Sequence, residues 1–287
     1  MHKTLVSTLA LAAMLAACGP PQQEAEAPAV ELYAIECGRI TFPDIGMFAD
    51  DGSFDGQSRE LVDPCYLIRH PRGDLIWDTG FPDAVAAMPN GTLEIPAMGA
   101  TVVLTKTLEA SLAELSLTPE DIEYVSFSHM HGDHSGNGNL FAEYSTWIVD
   151  ADERAYMFSD EARAAQSFAG YSDLEHVQTE QIEGDADYDV FGDGSVTIIQ
   201  TPGHTPGHTV LLVRLPNAGP VLLTGDMYHI AESRELHAVP TFNTDREQTL
   251  ASQAKVERIA TETGARVIRQ HVAEDFEALP AFPAALN

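Results

Sequence analysis

Basic residues are scarce in this 287-residue chain: 15 Lys and Arg stand against 44 Asp and Glu, a formal net charge of −29. So acidic a surface repels phosphate backbones and anionic headgroups, which argues against nucleic acid as a partner and for a neutral or cationic small substrate. Nothing in the middle of the chain has the composition of a linker, so the fold reads as one domain. Cysteine is scarcer still, with only Cys18, Cys37 and Cys65. None has metal-ligand spacing, which removes thiolate sites from consideration. Cys37 and Cys65 each fall in a strand-like run, YAIECGRITF and PCYLIRH. A disulfide between neighbouring strands and a pair of buried free thiols both satisfy that pattern.

The apolar run Leu5–Ala17 is too short to span a bilayer comfortably. It follows Lys3 and reads as an export signal over residues 1–17. Leu15-Ala16-Ala17-Cys18 resembles a bacterial lipobox, which implies that Cys18 becomes the lipidated first residue of the mature protein. Gly19 stands where aspartate would imply retention in the inner membrane, so the resemblance points to the outer membrane. GPPQQEAEAPAV then has little to bury and makes residues 18–30 a flexible tether ahead of a folded domain at 31–287. The expectation is an envelope protein on the periplasmic side, touching the membrane only through its lipid. Ordinary signal cleavage to a soluble periplasmic product is the alternative.

From residue 31 the chain alternates strands and helices. LYAIECGRITF, PCYLIRH and DLIWDTG are bounded by Gly, Pro or Asp; a helix is expected over Thr105–Ser116, and IEYVSFS is a buried strand. SVTIIQTPGH, TVLLVRL and PVLLTGD repeat the theme. A second helix opens with a capping box at Thr244–Glu247 and stops at Gly264, and RVIRQH is the last strand. Strands then helix, twice over, predicts an α/β fold of two sheets packed face to face with helices outside each.

Polar residues gather at the strand ends. SHMHGDHSGN follows one strand and carries His129, His131, Asp133 and His134; His204, Asp226 and His271 each end another apolar run. In an extended loop, His129 and His131 can flank one metal ion while Asp133 and His134 reach a second, with Gly132 and Gly136 giving the loop freedom to fold back. Imidazole and carboxylate suit divalent zinc, although iron, manganese or cobalt take the same donors.

H-x-H-x-D-H after a strand, with TPGHTPGH, LLTGD and IRQH in that order, resembles the metallo-β-lactamase superfamily from about residue 31 onward. The resemblance implies an αβ/βα sandwich with two metals on one edge. His129, His131 and His204 would hold the first ion, Asp133, His134 and His271 the second, and Asp226 would bridge them. His208 matches no ligand position and would support its loop. Two adjacent cations would lower the pKa of a shared water, making hydroxide available as nucleophile, with Asp133 placed to move the proton.

LVDPCYLIRHPRGDLIWDTGFPD, together with the TPGHTPGHTVLLVRL and VLLTGDMYH segments, looks most like the N-acyl homoserine lactonases, which open the lactone ring of quorum-sensing signals. Met47, Phe48 and Phe54 either line an acyl-tail groove or pack their own loop. These lactonases place a tyrosine three residues after the bridging aspartate; here that position is His229, with Tyr228 one residue earlier. Either side chain can donate to a developing oxyanion, so both are candidates for the contact with the substrate carbonyl. A glyoxalase II-like thioesterase, a promiscuous esterase or phosphotriesterase, and a non-catalytic metal-binding lipoprotein are the competing readings.

Overall fold

Apolar residues alternate along the second-half strands so that each has one face for the other sheet and one for a helix. Val196, Ile198, Leu211, Val213, Val221 and Leu223 enter the central core, while Ile199, Val210, Leu212 and Leu222 pack outward with Val256 and Ala260. The computed structural model describes residues 29–287. The expected signal segment, the lipidated Cys18 and nearly all of the tether lie outside the described residues.

Among the described residues, thirteen strands form two sheets. The first contains β1 (Glu31–Phe42), β2 (Arg59–His70), β3 (Gly73–Trp77), β4 (Thr92–Ile95), β5 (Ala100–Val103), β6 (Tyr124–Ser126), β7 (Thr146–Asp150) and β8 (Thr179–Ile182), in the order β4-β5-β1-β2-β3-β6-β7-β8. The second contains β9 (Tyr188–Asp189), β10 (Val196–Gln200), β11 (Thr209–Leu215), β12 (Gly219–Leu223) and β13 (Arg266–Ile268), in the order β13-β12-β11-β10-β9. Between the sheets lies a core that includes Tyr66, Ile68, Leu75, Trp77 and Ile148 from the first and Val196, Leu211, Val221 and Ile268 from the second.

Helices cover both outer faces, as the αβ/βα reading requires. α1 (Leu108–Glu114), α2 (Ala151–Met157) and α3 (Asp160–Ala164) place Leu108, Leu112, Met157 and Ala162 against the first sheet. α4 (Ser233–Leu236) precedes α5 (Arg246–Thr263), which covers the second sheet and returns the chain to β13, parallel to β12; α6 (Ala273–Glu277) follows. No helix among the described residues is long and apolar enough to cross a membrane.

Two expected helix starts shift. α1 begins at Leu108, because the Thr107 hydroxyl caps it by accepting from Ala110 N at 3.0 Å. The cap of α5 is Asp245, accepting from Gln248 N at 2.9 Å, and not Thr244. Thr244 is diverted: its amide and hydroxyl both donate to the His204 carbonyl, at 3.1 and 3.2 Å. Gly264 ends α5 in the left-handed region at φ 67°. Cys37 and Cys65 form a disulfide across β1 and β2, which resolves the two sequence alternatives.

Candidate metal centre

The apolar strands β6, β10 and β12 and the short parallel β13 all run toward one edge, so the polar residues that follow them meet there. His129, His131 and His204 converge through ring nitrogens: His129 Nε2 lies 2.8 Å from His131 Nδ1 and 3.1 Å from His204 Nε2, and His204 Nε2 lies 3.2 Å from His131 Nδ1. A neutral imidazole has one donor nitrogen and one acceptor, so three nitrogens facing one point cannot all be satisfied by each other. One cation satisfies all three.

Asp226 faces this trio with one oxygen and a second group with the other. Its Oδ2 is 3.5 Å from His129 Nε2 and 3.4 Å from His204 Nε2, whereas Oδ1 is 3.2 Å from His134 Nε2 and 3.0 Å from His271 Nε2. Asp133 stands 3.9 Å from both His134 and His271. The donor atoms thus fall into two groups, His129, His131, His204 and Asp226, and Asp133, His134 and His271, each within 4.8 Å internally. His134 Nε2 and Asp226 Oδ1 are buried without a hydrogen-bond partner among the described residues. Orphaned acceptors at the junction of two nitrogen and oxygen clusters fit a pair of divalent ions.

The far nitrogens of the imidazoles are held in place. His134 Nδ1 is 2.9 Å from Asp78 Oδ2, His204 Nδ1 donates to Asn243 Oδ1 at 2.8 Å, and His271 Nδ1 donates to the Val62 carbonyl at 2.9 Å. These bonds fix each ring's tautomer and aim the other nitrogen inward. Asp78 also accepts from Ser128 N and Oγ, and it sits at φ 57°, a costly left-handed conformation for a residue with a side chain. His208 supports rather than ligates: its Nδ1 donates to the Thr201 carbonyl, and its Nε2 accepts from the backbone N of Asp226 at 3.1 Å. Gly225, at φ 48°, permits that approach, since a Cβ there would meet Ser128 at 2.6 Å. Gly136 has a packing role instead of the expected freedom, because a Cβ would strike the Gly80 carbonyl at 2.5 Å.

Burial disfavours protonated imidazole at His129 and His131. It pushes His131 down to about 3, helped by His204, and lowers His129 well below the usual range with help from His134 and His131. Both rings are therefore neutral and have a lone pair to give. Burial opposes ionised Asp226 too, but the imidazoles of His229, His134 and His271 hold it well below the ordinary carboxylate range.

Three residues missed from sequence complete the frame. Asp78 and Asn243 were described above. Glu153, in α2, is buried and accepts from Met130 N at 2.8 Å and Gly207 N at 2.9 Å, tying the loop of His129 and His131 to the loop of His204. Burial raises its carboxyl to about 7 against those same bonds. An acid ending the apolar run DLIWD was a signal for Asp78; for Glu153 and Asn243, single polar residues with distant partners, the sequence offered none.

Beyond the ligands opens a cavity of about 410 Å³, lined by Phe42, Met47, Phe48, Phe81, Met98 and Phe242 among others, with His131, Asp133, Asp226, His229 and His271 at its polar end. Met47 and Phe48 line it; Phe54 does not and packs the cluster beneath. Of the two carbonyl-contact candidates, the structure removes Tyr228. The backbone at Tyr228 is extended, so neighbouring side chains point apart. Tyr228 is buried against the sheet and α5, and its hydroxyl donates to Glu257 Oε1 at 2.8 Å. His229 faces the cavity, stacked on Phe48 at 5.0 Å, with Nε2 3.0 Å from Asp226 Oδ2.

Residues 60–271 match the model of the family described as "Metallo-beta-lactamase superfamily". The chain belongs to the metallo-β-lactamase superfamily. Among curated relatives, it is 32% identical over 262 residues to an N-acyl homoserine lactonase, AttM, of Azorhizobium caulinodans, covering 88% of this chain and 96% of that one. It is 27% identical over 256 residues to the N-acyl homoserine lactonase AiiA of Bacillus thuringiensis, covering 88% and 97%. A solved N-acyl homoserine lactone hydrolase, with the product N-hexanoyl-L-homoserine at its catalytic metal centre, superposes with a TM-score of 0.74 at 26% identity, covering 89% of this chain and 98% of that one. Superfamily membership and this superposition agree with the two-sheet sandwich traced above.

Proposed function

We propose that this protein is a dinuclear-metal hydrolase that opens the lactone ring of N-acyl homoserine lactones. The observation that carries the reading is Asp226, whose two oxygens face two separate ligand groups at the floor of an apolar cavity. The lactonase relatives, matched over nearly their whole length, supply the substrate.

His129, His131 and His204 would hold one ion, Asp133, His134 and His271 the other, and Asp226 both; zinc is the ion this donor set suits best. When bound, the ions supply Lewis acidity and an activated water. The chain's own residues do the rest. Apolar walls from Phe42 to Phe242 exclude bulk water and take the acyl tail, leaving the lactone at the polar end. His229, at that end, is placed to donate to the carbonyl oxygen as it gains charge. Asp133 is partly exposed there, its side chain 22% accessible, so it can take the proton of the attacking water and return it to the ring oxygen as the ester C–O bond breaks. The product carries a free hydroxyl and a carboxyl group whose proton, the second of the attacking water, is released to solvent to leave the carboxylate. A cavity that reaches the ligands is also what a closed structural metal site lacks.

We infer from the N-terminal residues an exported protein anchored through Cys18 on the periplasmic side, an oxidising compartment in which a Cys37–Cys65 disulfide persists. Fractionation of cells expressing the Cys18→Ala variant tests this, the lipoprotein reading requiring its release from the membrane. For the reaction, protein loaded with zinc or cobalt is assayed on short- and long-chain acyl homoserine lactones beside a thioester, a phosphotriester and a β-lactam. Lactone turnover should dominate; brisk thioester or phosphotriester hydrolysis without it overturns the proposal.

A further inference from the structure

Strand β2 runs behind the second ligand group and grips the turn that carries His271. The Val62 carbonyl accepts from His271 Nδ1 and the Pro64 carbonyl from Gln270 Nε2, at 2.9 and 2.7 Å. Between them Asp63 is fully buried, and neither of its carboxylate oxygens has a hydrogen-bond partner among the described residues. Burial, then the charge of Asp133, pushes its carboxyl well above the usual range, while His134 and His271 pull it down and Asp78 adds to the rise. Three of these are the second group's ligands, and the fourth holds His134. No first-group residue is among them.

A buried carboxyl without a partner is costly, and ionising it beside Asp133 is costlier still. A residue that only filled the strand would do so better as an apolar side chain. What would offset the cost is a cation in the second group. We propose that Asp63 is a positioning residue for that ion: its carboxylate, without being a ligand, sets the affinity of the Asp133, His134 and His271 group from behind. The first group's imidazoles rest on Asn243 and Ser128, and the buried acid behind it, Glu153, is satisfied by Met130 N and Gly207 N. This rests on the reading that the two groups hold ions, and the test separates the two ideas.

Metal-depleted protein is titrated with Zn²⁺, and separately with Co²⁺, following heat, bound-ion count and the visible Co²⁺ spectrum. Asp63→Asn and Asp63→Leu are run beside the unaltered protein, so that failure of either variant to fold leaves the other. Two binding steps are expected in the unaltered protein. In the variants the weaker step should fall about 10- to 100-fold in affinity while the other stays unchanged. Metal-free, at least one variant should melt no lower than the unaltered protein, an outcome that a purely structural carboxyl would not give. Both steps unchanged in the variants, or both lowered alike, overturns the role of Asp63 and leaves the two-ion centre standing. Fewer than two ions in the unaltered protein overturns the centre and the inference with it.

Discussion

His129, His131 and His204 meet through nitrogen alone, within 3.2 Å of each other and steadied by neutral partners, whereas Asp133, His134 and His271 are looser, at 3.9 Å from the acid, and backed by Asp78. Both groups are largely enclosed, with His129, His204, His134 and His271 all almost wholly buried. Each opens on the cavity, the first through His131 and the second through Asp133 and His271. Three converging neutral imidazoles anchor an ion by geometry. On the proposed mechanism, the acid-bearing group would hold its ion by charge and keep a carboxylate free enough to move a proton. One half would then grip and the other react, with Asp226 coupling them.

The sharpest way to break this comparison is to remove the coupling. Asp226→Ala should lose ions from both groups, with activity falling further than the roughly 100-fold typical of changes to a supporting residue. Metal analysis of the purified variant checks this, and retention of one full equivalent would mean that the halves are independent. His208→Ala, which removes only the acceptor of the Asp226 amide, should keep most of its metal. Equal metal loss in the two variants would refute the ligand assignment.

Next in size is His229→Ala. Compared at equal metal content, loss of one donor to the carbonyl should lower kcat about 10²- to 10³-fold with little change in bound ions. A kcat unchanged at full metal content would take His229 out of the chemistry. Asp78→Asn probes the halves unequally: it weakens the support of His134 directly and of His129 only through Ser128, so it should cost about 10- to 100-fold in affinity for one ion and less for the other. Parallel loss of both ions would erase the distinction between the groups.

What sequence made legible was chemistry placed at strand ends. His129, His204, Asp226 and His271 each end an apolar run, and the topology brings such ends to one edge of the sandwich. What it hid depends on tertiary contact. Glu153 and Asn243 hold partners 23 and 39 residues away, and nothing local to them announces it. The α5 cap moved one residue because Thr244 was needed by the His204 carbonyl, a tertiary demand that overrides local capping. The strands β4, β5 and β9 are short, at four, four and two residues, too short for alternation to declare them.

Tyr228 is where the smallest effect carries information. Its hydroxyl donates to Glu257, which also accepts two bonds from Arg234, both at 2.8 Å. Tyr228→Phe removes one bond to a carboxylate that keeps its cation, so stability should fall by about 1–2 kcal/mol, a few degrees in Tm. Rate and metal content should not move, because the residue points at α5 and the cavity is lined by its neighbour. Thermal unfolding and steady-state kinetics on one preparation measure both. A tenfold loss of kcat with Tm unchanged would mean that Tyr228 turns toward the carbonyl during catalysis, and the roles assigned to these two adjacent side chains would have to be exchanged.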